Sequence, residues 1–231
     1  MGTVLFSKLC CYRMEGIEKM LNWYLQCGKD SDVVVSSRIR LARNFEKYQF
    51  PSKISIEESN KILQKLEELV PNLGYGLKLI KLDEIDDITK ISLIEKHLIS
   101  PEFAMQEKSN KAILINDDEN ICIMINEEDH LRLQVFAAGY ELENLMKFAI
   151  EIDEKIEKLI QYAFHKKYGY LTSCPTNLGT GMRVSVMVHL PALTLTGNIS
   201  NVLKAVNNFG MNIRGVYGEG TRKPREYVSN I

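Results

Sequence analysis

The chain has 231 residues, enough for one full domain or for one domain with a small appendage. Hydrophobic residues make up 45% and charged residues 26% of it, an ordinary globular composition that supplies a sizeable core. The 29 basic residues nearly balance the 30 acidic ones, which argues against a general nucleic-acid-binding or membrane-surface protein.

The cysteines favour a reducing compartment. They are odd in number, irregularly spaced and without a Cys-x-x-Cys pair: Cys10, Cys11, Cys27, Cys122 and Cys174. Neither a disulfide framework nor a zinc site is indicated. No apolar run approaches the roughly 20 residues of a membrane span, and residues 1–13 lack the pattern of a signal peptide. We therefore expect a cytoplasmic protein, with residues 1–13 as an extra, disordered leader ahead of a second start at Met14.

The first elements expected after this leader are a short amphipathic helix over Met14–Gln26 and a strand over Val33–Arg43. Arg38 and Arg40 stand two residues apart in the strand, so they point from the same face. One interpretation is an edge strand with a solvated basic face. The other is a pair of guanidinium groups directed at a polyanion.

The clearest helix covers Ser55–Val70. Ser55 and Glu58 form a capping box, an apolar stripe follows, and Pro71 is expected to end the helix. The pattern then predicts a short strand over Gly74–Leu82 and a helix over Glu84–Leu98.

A hairpin is predicted over Ala112–Asn116 and Ile121–Asn126. Its second strand leads into three successive carboxylates, Glu127, Glu128 and Asp129. Such a run is often a solvated turn. The alternative is that one carboxylate is held by burial and by its partners to act on a cationic substrate.

A long core helix is predicted over Tyr140–Phe164, and a second amphipathic helix over Asn198–Phe209. Between them, a loop at 172–182 precedes a strand over Arg183–Leu190, since Pro175, Asn177, Gly179 and Gly181 interrupt any helix or strand. In that strand alternate residues would lie on a buried face. The last segment, Ile213–Gly220, reads as a strand that enters a glycine-rich loop.

Four blocks of sequence resemble the phosphagen (guanidino) kinase family. They are Ser-Ser-Arg-Ile-Arg-Leu-Ala-Arg-Asn from Ser36, Asn-Glu-Glu-Asp-His-Leu-Arg from Asn126, Cys-Pro-Thr-Asn-Leu-Gly-Thr-Gly from Cys174 and Ile-Arg-Gly-Val-Tyr-Gly-Glu-Gly from Ile213. Their wording is most similar to the bacterial branch that phosphorylates arginine side chains in proteins. The resemblance covers nearly all of the chain from Met14 to Asn230.

The resemblance implies the roles of the site residues. Glu128 and Glu219 would orient the acceptor guanidine and accept its proton, and Cys174 would steer it electrostatically. As an alternative, Cys174 simply fills space in a tight turn. ATP would be the phosphoryl donor, with Mg²⁺ held mainly by phosphates and water and with few or no direct protein ligands. The phosphates would be bound by five arginines: Arg38, Arg40, Arg132, Arg183 and Arg214.

The expected fold class is α+β, a mainly antiparallel sheet flanked by helices, with the glutamine-synthetase-like architecture of the phosphagen-kinase catalytic domain. A small N-terminal part is expected over 14–110 and the core of the phosphotransferase domain over 111–231. The resemblance also implies that a C-terminal region, which binds phosphoarginine and dimerises, is missing. The loop over Thr221–Val228 is shorter and more basic than is usual in this branch.

The resemblance further implies particular partners. These are protein substrates that carry arginine, an activator protein, a heat-shock repressor, a Clp-type chaperone and a second copy of the chain; no nucleic acid or membrane is expected. Two other functions stay open at this point. One is a kinase for free arginine or another guanidino metabolite, and the other is a truncated, non-catalytic protein that binds nucleotide.

Overall fold

The computed structural model describes residues 22–105, 110–215 and 227–230. Residues 1–13, most of the helix predicted over Met14–Gln26, and Glu219 therefore lie outside the described residues. Of that predicted helix, the described part contains a single 3₁₀ turn at Trp23–Leu25.

The described residues contain ten strands and six α-helices. The strands are β1 Val34–Arg43, β2 Lys78–Lys81, β3 Ala112–Ile115, β4 Ile121–Ile125, β5 Leu131–Ala138, β6 Phe164–His165, β7 Gly169–Tyr170, β8 Met182–Val188, β9 Asn212–Gly215 and β10 Tyr227–Asn230. The helices are α1 Ile56–Leu73, α2 Asp87–Glu95, α3 Pro101–Ala104, α4 Leu142–Leu159, α5 Pro191–Leu195 and α6 Ile199–Asn208. No helix among the described residues is long and apolar enough to cross a membrane.

The chain divides into two compact units. The first takes in the described residues of Met1–Ile39, Phe136–Leu145 and Arg183–Ile231, and the second those of Arg40–Val135 and Met146–Met182. The sequence-based division at residue 110 stays a prediction.

Strands β1 and β5 each have residues in both units, because the units divide after Ile39 and after Val135. In the second unit the strands follow the order β2-β3-β4-β5, with β1 next to β5. The first three pairings are antiparallel, with Leu79 opposite Leu114, Ile113 opposite Met124 and Ile123 opposite Leu133. Every residue of β3 and β4 is buried, since apolar side chains cover both faces of this hairpin. The predicted hairpin is thus confirmed. The acidic run, Glu127 to Asp129, follows the end of its second strand, β4.

Helix α1 begins where the sequence predicts but ends later. The Ser55 hydroxyl accepts a hydrogen bond from the backbone N–H of Glu58 at 3.2 Å. Pro71 does not stop the helix, which continues to Leu73 and ends at Gly74 with φ +76°. A proline in the last turn removes only one intrahelical bond, and Leu73, 2% exposed, secures that turn in the core.

In the first unit the order is β5-β1-β8-β10-β9. Strand β10 pairs antiparallel with both neighbours, so that Val228 lies opposite Met187 of β8 and Arg214 of β9. The interpretation of β1 as an edge strand is therefore wrong, because β1 has a neighbour on each side. The mainly antiparallel α+β class is confirmed.

Four other elements differ from the sequence-based expectation. Strand β5 was not predicted, and β10 includes Tyr227 and Val228, which were expected in a loop. Helix α4 ends at Leu159, because Phe164 is drawn into a small hairpin opposite Tyr170. Strand β8 does not alternate simply between a buried and an exposed face. Ser185, on the face of Arg183, is only 2% exposed, and its hydroxyl accepts a hydrogen bond from Arg38 Nε.

Candidate functional site

Strand β1 carries the first arginine pair. Arg38 and Arg40 are half-buried, whereas Ile39 and Leu41 between and beside them are 1% and 2% exposed, so the expected alternation holds. The Nε atom of Arg38 donates to Ser185 Oγ at 3.2 Å, and its guanidinium carbon lies 6.0 Å from the ring centre of Phe136. Phe136 in turn stacks on Trp23, with ring centres 5.1 Å apart. Arg38 is thus supported by a hydroxyl and an aromatic platform.

The three successive carboxylates occupy different environments. Glu127 has a side chain only 11% exposed, and it accepts hydrogen bonds from Arg132 Nη1 at 2.8 Å and from Ser100 Oγ at 3.1 Å. The side chain of Glu128 is 41% exposed, and it accepts from Arg132 Nη2 at 3.1 Å. Asp129 is 1% exposed. The interpretation of the run as a solvated turn therefore fits Glu128 alone.

Asp129 joins three segments of the second unit. Its Oδ1 atom accepts from the side-chain amide of Asn44 and from the backbone N–H of Ser173, both at 2.6 Å. Asn44 immediately follows β1, and Ser173 immediately precedes Cys174. The carboxylate thus links the end of the arginine strand to the loop that carries the cysteine.

His130 lies in a buried polar cluster with Asn44 and Asp129, and its ring is neutral. Its Nδ1 atom accepts from the backbone N–H of Phe45 at 3.0 Å, and with the proton on Nε2 it donates to the carbonyl of Gln49 at 2.9 Å. Its ring stacks on that of Phe45. Burial lowers the pKa of His130 from 6.5 to about 4, because a charged ring would lose its hydration there.

We call residues 172–181 the cysteine loop. Its centre is a 3₁₀ turn at Pro175–Asn177, preceded by the half-buried Cys174. The sulfur of Cys174 lies 3.0 Å from Thr176 Oγ1, and the Thr172 hydroxyl donates to the carbonyl of Cys174 at 2.9 Å. Local hydroxyls therefore fix the thiol and its backbone within the loop.

The far end of the cysteine loop is anchored by Arg43, a residue to which the sequence pattern assigned no role. Its Nε and Nη2 atoms donate to the Asp153 carboxylate, with Nη2 2.7 Å from Oδ2, and Nη1 donates to the carbonyl of Thr180 at 2.9 Å. The guanidinium also lies 3.7 Å from the ring centre of Tyr170. Burial raises the pKa of Asp153, and the charge of Arg43 opposes that rise.

Gly181 is required by this anchor. Its φ is +61°, and an added Cβ would lie 2.5 Å from Arg43 Nη1 and 2.6 Å from the carbonyl oxygen of Ala42. The loop can approach β1 this closely only without a side chain.

The structure brings Glu128 and Arg132 into direct contact, and Asp129 connects their segment to that of Cys174. Arg183 lies half-buried in β8, and Arg214 lies in β9 opposite Val228. Glu219 falls outside the described residues. Among the described residues, no cluster of three or more histidine, cysteine or acidic side chains is arranged to hold a metal ion.

Asn44, Asp129 and Arg43 were not assigned roles from the sequence, although each belongs to one of the blocks that resemble the family. Their partners lie between 44 and 137 residues away in the chain. Only their position inside specific blocks could have drawn attention to them.

The chain is similar in sequence to curated bacterial proteins. The chain is 48% identical over 215 residues to the protein-arginine kinase of Bacillus licheniformis, which covers 91% of this chain and 57% of that protein. It is 44% identical over 219 residues to the protein-arginine kinase of Bacillus subtilis, covering 93% and 58%. The chain thus spans less than two thirds of the length of these relatives.

Solved structures share the fold. A duplicated taurocyamine kinase from Schistosoma mansoni, with bound components of a transition-state analogue, superposes with a TM-score of 0.75 at 26% identity, covering 86% of this chain and 29% of that one. Lombricine kinase superposes with a TM-score of 0.72 at 23% identity, covering 92% and 62%, which supports the fold alone.

The model of the C-terminal catalytic domain of ATP:guanido phosphotransferases matches residues 58–230. This match takes in the acidic run, the cysteine loop and strands β8 to β10. The chain belongs to the ATP:guanido phosphotransferase family.

Proposed function

We propose that the chain transfers the γ-phosphoryl group of MgATP to a guanidine nitrogen of arginine side chains in proteins. The observation that carries the proposal is the contact of Glu128 with a guanidinium group, that of Arg132, at 3.1 Å. Glu128 is also the most exposed of the three successive carboxylates, so it is the one that an incoming arginine can reach. The likeness to protein-arginine kinases supports a protein side chain as the acceptor.

The chemistry poses two problems. The negative charge of the triphosphate has to be countered, and we propose Arg38, Arg40, Arg132, Arg183 and Arg214 for this task, because guanidinium groups donate in pairs to phosphate oxygens. Guanidinium groups have no lone pair to offer a cation, so Mg²⁺ would be bound by phosphate oxygens and water.

The second problem is the acceptor, a guanidinium that stays protonated at neutral pH. We propose that Glu128 and Glu219 orient it and accept its proton as the new N–P bond forms and the bond to the leaving ADP oxygen breaks. When Arg132 turns to a phosphate, it releases Glu128 for the incoming arginine. Cys174 would steer the acceptor guanidinium electrostatically.

The test is incubation of the full chain with MgATP and unfolded casein, followed by mass spectrometry at neutral pH. Phosphorylated arginine in casein is the expected result. Free arginine is added as a competitor in a parallel reaction. Efficient phosphorylation of the free amino acid, with casein unmodified, would instead assign the chain to metabolite kinases. Bound nucleotide without any transfer would contradict both activities.

A further inference from the structure

The buried carboxylate of Asp129 lies outside the roles that the proposed function assigns. Its Oδ1 atom accepts two hydrogen bonds, each 2.6 Å long. One of the two donors is a backbone N–H, that of Ser173. The bond therefore restrains the path of the main chain rather than a side chain.

Asn44, which is 1% exposed, adds further hydrogen bonds among the same three segments. Its amide nitrogen donates to Asp129 Oδ1 at 2.6 Å and to the carbonyl of Leu171 at 3.1 Å. Its amide oxygen accepts from the backbone N–H of His130 at 2.9 Å. The end of β1, the acidic run and both sides of Thr172 are thus held by one connected set of bonds.

Two functional side chains flank this set. Glu128 precedes Asp129 in the chain, and Cys174 follows Ser173. The Thr172 hydroxyl carries the restraint across Ser173 to the carbonyl of Cys174. Reacting groups must be placed within a fraction of an ångström. An acceptor guanidine that contacts both Glu128 and Cys174 would therefore depend on the distance between these two side chains, and the bond from Ser173 to Asp129 restrains that distance.

We propose that Asp129 is a positioning residue that fixes the cysteine loop relative to Glu128 through the backbone N–H of Ser173. The inference rests on the proposed function for its catalytic consequence. The geometric part, that Asp129 determines the placement of Cys174, stands without turnover.

Two substitutions separate geometry from charge. Asp129→Asn keeps the Oδ1 acceptor and the length of the side chain. The Oδ2 atom has no hydrogen-bond partner among the described residues, so an amide nitrogen in its place breaks no bond. Asp129→Glu keeps the charge but adds a methylene, which displaces the acceptor from Ser173. Asn110→Ala is the matched control, since it removes a buried amide bonded to Ser59 Oγ at 2.6 Å in the same unit.

We expect Asp129→Glu to lower kcat for casein phosphorylation about 100-fold, with the KM for ATP within about twofold of wild type. Asp129→Asn should retain kcat within about tenfold, because a neutral hydrogen bond replaces a charge-assisted one. Asn110→Ala should resemble wild type in both parameters. An active Asp129→Glu beside an inactive Asp129→Asn would overturn the proposal, since charge rather than position would then matter.

Alkylation of Cys174 by iodoacetamide, followed by peptide mass spectrometry, supplies a readout that needs no turnover. Asp129→Glu should change the rate at Cys174 by at least about threefold, whereas Asp129→Asn and Asn110→Ala should not. An unchanged rate in Asp129→Glu would refute the positioning role. If wild type itself transfers no phosphoryl group, the proposed function fails, and the alkylation rates still decide whether Asp129 places Cys174.

Discussion

The Nη2 atom of Arg132 lies 3.1 Å from Oε2 of Glu128, while its Nη1 atom lies 2.8 Å from Oε1 of Glu127. One guanidinium therefore bridges two neighbouring carboxylates of unequal exposure. The buried carboxylate holds the arginine in place, and the exposed one is available for exchange with another guanidinium. From this inequality we propose different roles for the two adjacent glutamates.

The first prediction concerns the stability of this bridge. Glu127→Gln should lower the free energy of unfolding by about 2 kcal/mol, because a largely buried, charge-assisted bond is weakened. Glu128→Gln should cost about 0.5 kcal/mol or less, since water screens its exposed ion pair. Urea unfolding followed by circular dichroism measures both. Equal losses would show that the two carboxylates do not differ as described.

The second prediction concerns the anchor of the cysteine loop. Asp153→Ala should destabilise the fold by about 3–5 kcal/mol, because it leaves the buried guanidinium of Arg43 uncompensated. Lys155→Ala is the control on the same helix: it removes an exposed ion pair with Glu151 and a hydrogen bond to Tyr75, and it should lower the free energy of unfolding far less than Asp153→Ala does. A small effect of Asp153→Ala would mean that Arg43 finds other acceptors.

The third prediction separates backbone strain from steric conflict. Gly181→Ala and Gly197→Ala both place alanine at positive φ, +61° and +72°, at a cost of about 1–2 kcal/mol each. Only at Gly181 does the new Cβ also meet Arg43 and the carbonyl of Ala42. Thermal unfolding should therefore show a larger loss for Gly181→Ala. Similar losses in the two variants would contradict the close approach of loop and strand.

The fourth prediction is a pH dependence of stability. The pKa of His130 is lowered from 6.5 to about 4 by burial, so as the pH falls the unfolded chain binds this proton before the folded chain does. The stabilisation that comes from neutral His130 is fully present above pH 6.5, the pKa of His130 in the unfolded chain, and it is lost as the pH falls towards about 4.

Between pH 7 and pH 5 the protonation of His130 should lower the free energy of unfolding by about 2 kcal/mol. Urea unfolding at both pH values, on wild type and on His130→Asn, isolates it by difference, because other groups titrate alike in the two proteins. A pH dependence that is the same in both would show that His130 does not titrate as described.

Local patterns were sufficient for elements that are stabilised locally. Ser55 signals the start of α1 by capping it, and the alternation around Arg38 and Arg40 follows from the geometry of a single strand. Strand β10 is different, since its four residues gain their structure from pairing with β8 and β9 at distant positions. The sequence pattern likewise places Phe164 in a helix, because it carries no sign of the pairing between Phe164 and Tyr170.

The candidate site shows the same limit. The blocks that contain Glu128, Arg132 and Cys174 can be identified in the sequence by resemblance. The bonds from Asp129 to Ser173 and from Arg43 to Thr180 depend on tertiary contacts that no periodicity reports. The sequence therefore identifies candidates for the chemistry, and the structure adds the residues that hold their segments in place.

The most direct test of the account is the rate of phosphoarginine formation on casein by Glu128→Gln, with the dissociation constant for ATP measured in parallel. We predict a loss of turnover of about 100-fold or more, with ATP affinity within about twofold of wild type. Arg183→Lys is the control and should weaken ATP binding about tenfold, because an ammonium cannot form the paired bonds. Undiminished turnover by Glu128→Gln would contradict the proposed mechanism.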